Sequence, residues 1–461
     1  MTITKPFQSL ELKGELLKNL ESLGFKAMTP VQQESLPLVL KGDDLIVQAK
    51  TGSGKTAAFG LGILNKLQEK KFAVQALIIC PTRELADQVS SELRRLARYT
   101  QNIKVLTLCG GDHEYKQNRS LDHGAHIVVG TPGRLLKFLQ KGILDLHFLK
   151  TLVLDEADRM LDMGFSDVIH EIIACAPKQR QTLLFSATFP PQIKVLSQDI
   201  QNAATFIKID STHEPNVIKQ YFYEVAKQEQ KIDALFDLLT HYQPESCVIF
   251  CRTKLMCDDI AGYLQDEGLS ALAIHGDLEQ SERTLVLTKF SNKSCLILVA
   301  TDVAARGLDI KELEAVINFD LTSDPEVYVH RIGRTGRAGH EGLALSLFTP
   351  KEREKIKTIE AYTKRKVFIE NSENLKREEP VIKEPLFKTL LISGGKKQNL
   401  RPGDILGALT KDAGLKGSDV GQIKIMDTIS YVAVSSDKAT RVAKFLNGSK
   451  IKNLRFRVHI V

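Results

Sequence analysis

A chain of 461 residues, 43% hydrophobic and 26% charged, is too long for one compact core and too apolar to be disordered; at about 150 residues per domain it predicts about three domains. No apolar run reaches the roughly 18 residues that span a bilayer and the first residues lack a secretory leader, so a soluble, cytoplasmic protein with no membrane partner is expected. The formal net charge of +7 is unevenly placed: of the 63 Lys+Arg and 56 Asp+Glu, residues 381–461 hold 15 and 6, which points to a C-terminal module attracted to polyanions, nucleic acid above all.

Short apolar runs at residues 45–48, 77–80, 105–108, 127–129, 152–154 and 183–185 alternate with amphipathic helical stretches. That is the pattern of a doubly wound parallel sheet covered on both faces. The polar stretch 210–216 interrupts it, and a second set follows at 248–251, 271–274, 296–300, 316–319 and 343–348. Two α/β domains are therefore expected, over residues 1–210 and 211–370, joined by a short linker. From residue 364 the chain is charged and aperiodic up to Pro380 and Pro385, which predicts a second linker over 371–385. The tail, 386–461, reads as strand 386–392, helix 403–410, strands 422–426 and 431–434, helix 438–446 and strand 454–461, the βαββαβ order of a split βαβ α+β fold. Of seven Cys, Cys80, Cys247, Cys251 and Cys295 fall in or beside apolar runs and read as buried thiols, and Cys247, Cys251 and Cys257 lack the spacing of a metal site.

Ala49-Lys50-Thr51-Gly52-Ser53-Gly54-Lys55-Thr56 follows a predicted strand and opens a helix over 56–67, the setting of a phosphate-binding loop. Gly52 and Gly54 let backbone amides turn toward phosphate oxygens at a helix N-terminus. Lys55 reaches the terminal phosphates and Thr56 offers a hydroxyl to Mg2+. The loop has Ala49 where the general pattern has Gly. Asp155-Glu156-Ala157-Asp158, directly after the strand 152–154, supplies the acidic partner: Asp155 to hold Mg2+ through water, Glu156 to orient and deprotonate the attacking water.

At this point the chain resembles the DEAD-box family of ATP-dependent RNA helicases, from Phe7 to about Phe348, with about a dozen motifs in family order. The resemblance implies two tandem RecA-like domains, ATP and Mg2+ as cofactors, RNA as partner, and a monomer as sufficient for the chemistry. Phe7, Gly24-Phe25 and Thr29-Pro30-Val31-Gln32 resemble the adenine-reading segment, in which Phe7 stacks on the base and Gln32 bonds its edge. Pro81-Thr82-Arg83-Glu84-Leu85-Ala86, Gly110-Gly111 and Thr131-Pro132-Gly133-Arg134 resemble the RNA-contacting motifs of the first domain, implying backbone-phosphate contacts from Arg83, Gly111, Thr131, Gly133 and Arg134 that read no sequence. Ser186-Ala187-Thr188 resembles the motif that links nucleotide to domain closure. In the second domain His275-Gly276-Asp277-Leu278, Thr301-Asp302, Arg306-Gly307-Leu308-Asp309 and His330-Arg331-Ile332-Gly333-Arg334-Thr335-Gly336-Arg337 complete the set. There the resemblance implies arginine fingers at Arg334 and Arg337, ribose contact or coupling at Asp309, and RNA contacts at Arg252 and Thr301.

The tail resembles the C-terminal RNA-binding domain of the DEAD-box helicases of bacterial large-subunit ribosome assembly, on Ile392-Ser393-Gly394-Gly395-Lys396-Lys397, the run Arg401-Pro402-Gly403-Asp404-Ile405-Leu406-Gly407-Ala408-Leu409-Thr410 and Tyr431-Val432-Ala433-Val434. This implies an RRM-like domain anchored on a hairpin of 23S rRNA in large-subunit precursors. Tyr431 is the one aromatic on its strand and the first strand offers Leu390 and Leu391, so the pair of base-stacking rings usual in RNA recognition motifs is missing. Lys396, Lys397 and Arg401 are the expected contacts instead, and Arg455 and Arg457 alternate on the expected last strand. A general DEAD-box helicase without rRNA specificity, a related DNA helicase, and a nonenzymatic RNA clamp or assembly scaffold stand as alternatives; intact Lys55, Glu156, Arg334 and Arg337 argue against the clamp.

Overall fold

The computed structural model describes residues 5–49, 52–111, 113–209, 218–305, 313–336, 341–375 and 383–461. The chain forms two compact units, Met1–Thr212 and His213–Val461.

The first unit is built on seven parallel strands: β1 (Leu45–Gln48), β2 (Ala76–Ile79), β3 (Val105–Leu108), β4 (Ile127–Gly130), β5 (Thr151–Asp155), β6 (Gln181–Ser186) and β7 (Thr205–Lys208), in the order β3-β4-β2-β5-β6-β1-β7. The strand side chains alternate between two cores. Val47, Ile78, Val129, Val153 and Phe185 pack on one face, and Ile46, Leu77, Ile79, Val128, Leu152 and Leu184 on the other. Helices cover both faces, as continuous apolar strands demand. One of them, Arg83–Leu96, buries Leu85, Ala86, Val89, Leu93 and Leu96 at helical spacing and starts where Thr82 Oγ1 accepts the Leu85 amide. Helix Lys55–Lys66 lies close to helix Pro30–Lys41 because Gly62 has no side chain; a Cβ there would sit 2.2 Å from Val39 Cγ1.

The second unit repeats the plan with β8 (Ile218–Glu224), β9 (Cys247–Cys251), β10 (Ala271–Ile274), β11 (Ile297–Thr301), β12 (Ala315–Asn318), β13 (Gly342–Phe348) and β14 (Phe368–Asn371), in the order β10-β11-β9-β12-β13-β8-β14. The expected linker residues 210–216 and Pro380 lie outside the described residues. The aperiodic stretch that begins at residue 364 is not all linker: β14 pairs in parallel with β8, and Leu375 is buried in the core beneath it. Every β14 residue is exposed, so backbone pairing holds this edge strand and no burial pattern marks it.

The tail forms an antiparallel sheet of β15 (Phe387–Ile392), β16 (Val420–Ile425), β17 (Ser430–Ser435) and β18 (Val458–Ile460), ordered β16-β17-β15-β18. Leu390, Ile392, Val432 and Val434 face helices Pro402–Gly407 and Ser436–Gly448 through Ile405, Ala439, Val442 and Leu446. The expected strand 454–461 is cut to three residues. Lys452 and Asn453 adopt positive φ in a turn that bridges Ile451 to Leu454, so Arg455 and Arg457 precede β18 and do not alternate on it.

The middle of the other face of this sheet is buried too: Thr389, Ala433 and Tyr431 are 0%, 1% and 3% exposed, while Gln422, Lys424 and His459 on the same face are exposed. It packs on the end of helix Gln280–Ser291 in the preceding α/β domain. Asn292 Nδ2 donates to Thr389 Oγ1 at 3.0 Å, the Ser294 and Thr389 hydroxyls bond at 2.7 Å, and Ser291 Oγ donates to Gln422 Oε1 at 2.6 Å. Among the described residues no helix is long and apolar enough to cross a membrane, and six of the seven cysteines are buried free thiols, Cys175 being the exposed one.

Candidate nucleotide site and nucleic-acid-contacting segments

The carboxyl ends of β1, β5 and β6 form one crest in the first unit. After β1 the loop turns through Gly52 and Gly54, whose φ of 81° and 95° suit glycine alone, and Gly54 caps helix Lys55–Lys66. Lys50 and Thr51 lie outside the described residues. Lys55 is 6% exposed, and its Nζ donates to the Ala49 carbonyl at 2.7 Å, across the loop; Thr56 follows it, half-buried.

Asp155 ends β5 and is 3% exposed. Burial raises its carboxyl to about 6, with Lys55 opposing and Glu156 adding to the rise. Glu156 sits at φ 53°, an uncommon conformation for a residue with a side chain, at the start of helix Ala157–Asp162; its Oε2 accepts from Arg159 Nη1 at 3.0 Å. Asp158 reaches the neighbouring strand end. Its Oδ2 accepts from Ala187 N, Thr188 N and Thr188 Oγ1 at 3.1, 2.8 and 2.8 Å, tying the acidic tetrapeptide to Ser186-Ala187-Thr188.

Gln32 is 2% exposed and joins the crest to the upstream segment: its Oε1 accepts the Thr29 amide at 2.9 Å and its Nε2 donates to the Gly54 carbonyl at 3.2 Å. Each carboxamide atom keeps one further hydrogen-bonding position. Phe7 departs from expectation. It is 1% exposed and packs edge-on to Phe25 at 6.0 Å within the hydrophobic core, so neither ring face is open as a base platform in this conformation.

The remaining motifs of this unit gather around β3 and β4. Gly111 has φ 84°, and a Cβ there would fall 1.8 Å from Arg83 Nη1, so the glycine makes room for the guanidinium. Thr131 precedes helix Pro132–Gln140, and a Cβ on Gly133 would meet nothing within 4 Å, leaving that backbone open to approach. Arg134 Nη1 donates to Gln117 Oε1 at 2.8 Å, and Gln117 Nε2 donates to the Cys109 carbonyl at 3.0 Å.

In the second unit Arg252 is exposed just past β9, its amide held by Asp320 Oδ2 at 2.9 Å, and Thr301 ends β11 with its hydroxyl 3.4 Å from the Ala304 amide. Arg331, 4% exposed, forks onto both Asp302 oxygens at 2.6 and 2.7 Å and bonds Asn318 Oδ1 and the Asp320 carbonyl at 3.0 and 2.7 Å. Arg334 lies half-buried one turn on, while Arg337 and Asp309 fall outside the described residues. Lys231, fully buried, bonds Glu352 at 2.9 Å and the Phe319 carbonyl at 3.1 Å. Sequence reasoning gave Gln117, Arg159 and Lys231 no role and left Arg331 unassigned within its run. The partners of Gln117, Arg331 and Lys231 lie 8 to 121 residues away on other elements, beyond the reach of a linear motif.

The tail turn Lys396–Gln398 is fastened to the β16–β17 turn by Lys396 N and Lys397 N donating to the Met426 and Asp427 carbonyls, both at 2.9 Å. Lys396, Lys397 and Arg401 project from it exposed, and Lys452 joins them by donating to the Asn399 carbonyl at 2.8 Å.

Family models match the chain at three places: DEAD/DEAH box helicase over residues 29–196, helicase conserved C-terminal domain over 230–339, and DbpA RNA binding domain over 389–460. The chain is 52% identical over 446 residues to the ATP-dependent RNA helicase DbpA of Escherichia coli strain K12, covering 96% of this chain and 97% of that one. It is 47% identical over 363 residues to the DEAD-box ATP-dependent RNA helicase CshA of Geobacillus kaustophilus, 78% of this chain and 77% of the relative. Among solved structures, S. cerevisiae Dbp5 bound to RNA and ADP BeF3 aligns with TM-score 0.74 and 31% identity over 80% of this chain and 96% of that one. Mss116p bound to ssRNA and AMP-PNP aligns with TM-score 0.72 and 28% identity, over 80% of each chain. The phosphate loop, the acidic crest and the tail module thus sit in a chain that belongs to the DEAD-box family of ATP-dependent RNA helicases.

Proposed function

We propose that this helicase remodels 23S rRNA during assembly of the large ribosomal subunit, anchored by its tail on an rRNA hairpin. The observation that carries this is in the tail: the middle of one sheet face packs on the preceding domain through Thr389, while Lys396, Lys397, Arg401 and Lys452 stand exposed on one loop cluster. A module whose central sheet face is occupied and which carries a localised cationic edge suits the phosphates of a folded hairpin better than a splayed single strand. The match to the DbpA RNA binding domain over residues 389–460 supports the same reading.

In the core, amides of residues 49–56 and Lys55 cradle the triphosphate. Thr56 and Asp155 are hard oxygen donors suited to Mg2+, and the raised acid of Asp155 beside Lys55 is one a divalent cation would ionise. When bound, Mg2+ supplies charge neutralisation at the β- and γ-phosphates. Glu156 orients and deprotonates the attacking water. Arg334 and Arg337 supply guanidinium charge to the terminal phosphate, and Asp309 couples to the ribose. Gln32 reads the adenine edge with its two remaining hydrogen-bonding positions. Arg83, Gly111, Thr131, Gly133, Arg134, Arg252 and Thr301 follow the sugar-phosphate backbone of the RNA, without reading bases.

The test is the affinity of the full chain for a peptidyl-transferase-centre hairpin, compared with the Lys396→Ala, Lys397→Ala, Arg401→Ala triple variant. A loss of tenfold or more for the hairpin, with affinity for unstructured RNA unchanged, supports anchoring; equal loss for both RNAs leaves a general helicase with a basic tail.

A further inference from the structure

Helix Glu114–Asp122 has nine residues, and the one it buries is polar: Gln117, 6% exposed. A short surface helix normally buries an apolar residue, so a carboxamide in that place is held by its hydrogen bonds. Its two ends face opposite demands. Nε2 donates to the carbonyl of Cys109, directly before Gly110-Gly111, and Oε1 accepts from Arg134 Nη1. A carboxamide offers a donor and an acceptor on one rigid plane without a charge. Beyond the Cys109 carbonyl, the glycine pair carries the guanidinium of Arg83 against Gly111. Arg83, the glycine turn, Gln117 and Arg134 therefore form one connected row, with an arginine at each end.

We propose that Gln117 is a positioning residue for RNA binding: it fixes the Arg134 guanidinium in register with the Gly110-Gly111 backbone before RNA arrives, so that both meet phosphates of one strand without ordering Arg134 on binding. This rests on the proposed RNA contacts of Arg134 and Gly111. Ordering a long side chain at the moment of binding weakens affinity by about 2- to 12-fold. The hydrogen bonds of Gln117 to the Cys109 carbonyl and Arg134 lie away from the nucleotide crest, so its effect falls on RNA affinity and leaves turnover alone.

The experiment measures ATPase stimulation by poly(U) in the full chain, giving the half-saturating RNA concentration and kcat at saturating RNA, for Gln117→Met, Arg134→Ala and the double variant. Gln117→Met keeps volume and removes both hydrogen bonds. It is expected to raise half-saturation about fivefold with kcat within twofold of the parent, and to add nothing in the Arg134→Ala background. Gln117→Ala serves if the Met variant does not fold, with the same split expected. Should Arg134→Ala leave RNA half-saturation unchanged, the RNA contact itself is wrong. Should Arg134→Ala weaken RNA while Gln117→Met and Gln117→Ala do not, or should the effects of the double variant simply add, the contact stands and the positioning role is overturned.

Discussion

Asn292 and Thr389 meet across a domain boundary: Asn292 Nδ2 donates to Thr389 Oγ1 at 3.0 Å, with the two residues 3% and 0% exposed. The bond occupies the sheet face that RNA recognition motifs ordinarily turn to bases, and makes the tail and its neighbouring α/β domain one packed body. Replacing Thr389 by Val keeps the shape but strands the Asn292 amide and the Ser294 hydroxyl. The expected cost is about 1–3 kcal/mol, seen as a lower denaturant midpoint for tail and second-domain probes with the first unit unchanged. An unchanged midpoint would show the junction to be solvated.

Asp155 is buried as a charge the fold does not favour. Its folded-state carboxyl, raised from 3.8 to about 6, means the folded chain binds a proton more readily than the unfolded one. The stability this contributes is complete below pH about 4 and lost as pH rises through about 6. Asp155→Asn, neutral at every pH, is therefore expected to be more stable than the parent at pH 8, by up to about 3 kcal/mol, with the gap closing by pH 4. Thermal melts without nucleotide across that range check it, and activity is lost in the same variant.

Arg331 holds the second unit's motif segments together, forking onto Asp302 and reaching Asn318 and the Asp320 carbonyl. Arg331→Ala leaves buried acceptors unpaired and is expected to destabilise that unit by about 3–5 kcal/mol in chemical denaturation. Arg331→Lys cannot fork and recovers only part. Retained stability in the Ala variant would assign this arginine to solvent-facing chemistry.

Gly111→Ala combines a φ of 84° with a Cβ in the place of the Arg83 guanidinium. The expected result is about tenfold weaker stimulation by RNA, from strain and a displaced Arg83, with nucleotide affinity retained. Equal RNA affinity would remove both residues from the binding path.

The sequence made the central strands legible because parallel strands buried on both faces leave unbroken apolar runs, such as Leu77, Ile78 and Ile79 in β2. Three of the described strands escaped: β7 and β14 are mostly exposed and held by backbone bonds that any sequence makes, and β8, interior to its sheet, interleaves exposed Lys219 and half-buried Gln220 and Tyr221 before its buried pair Phe222 and Tyr223, so no unbroken apolar run marks it. At the site, the phosphate loop and the acidic tetrapeptide were readable because contiguous residues build them. Gln117 and Arg331 were not, since their meaning lies in partners that only the fold brings close. Phe7 shows the reverse case, in which a motif position suggests a base-stacking role for a ring that the core encloses in this structure.

ATP hydrolysis by the full chain, measured with no RNA, with unstructured RNA and with an rRNA fragment carrying the peptidyl-transferase hairpin, tests the account most directly, with Glu156→Gln as control. The prediction is stimulation by the hairpin fragment at far lower concentration than by other RNA, abolished by Glu156→Gln. Equal stimulation by every RNA would contradict the rRNA assignment, and hydrolysis that persists in Glu156→Gln would contradict the chemistry assigned to the crest.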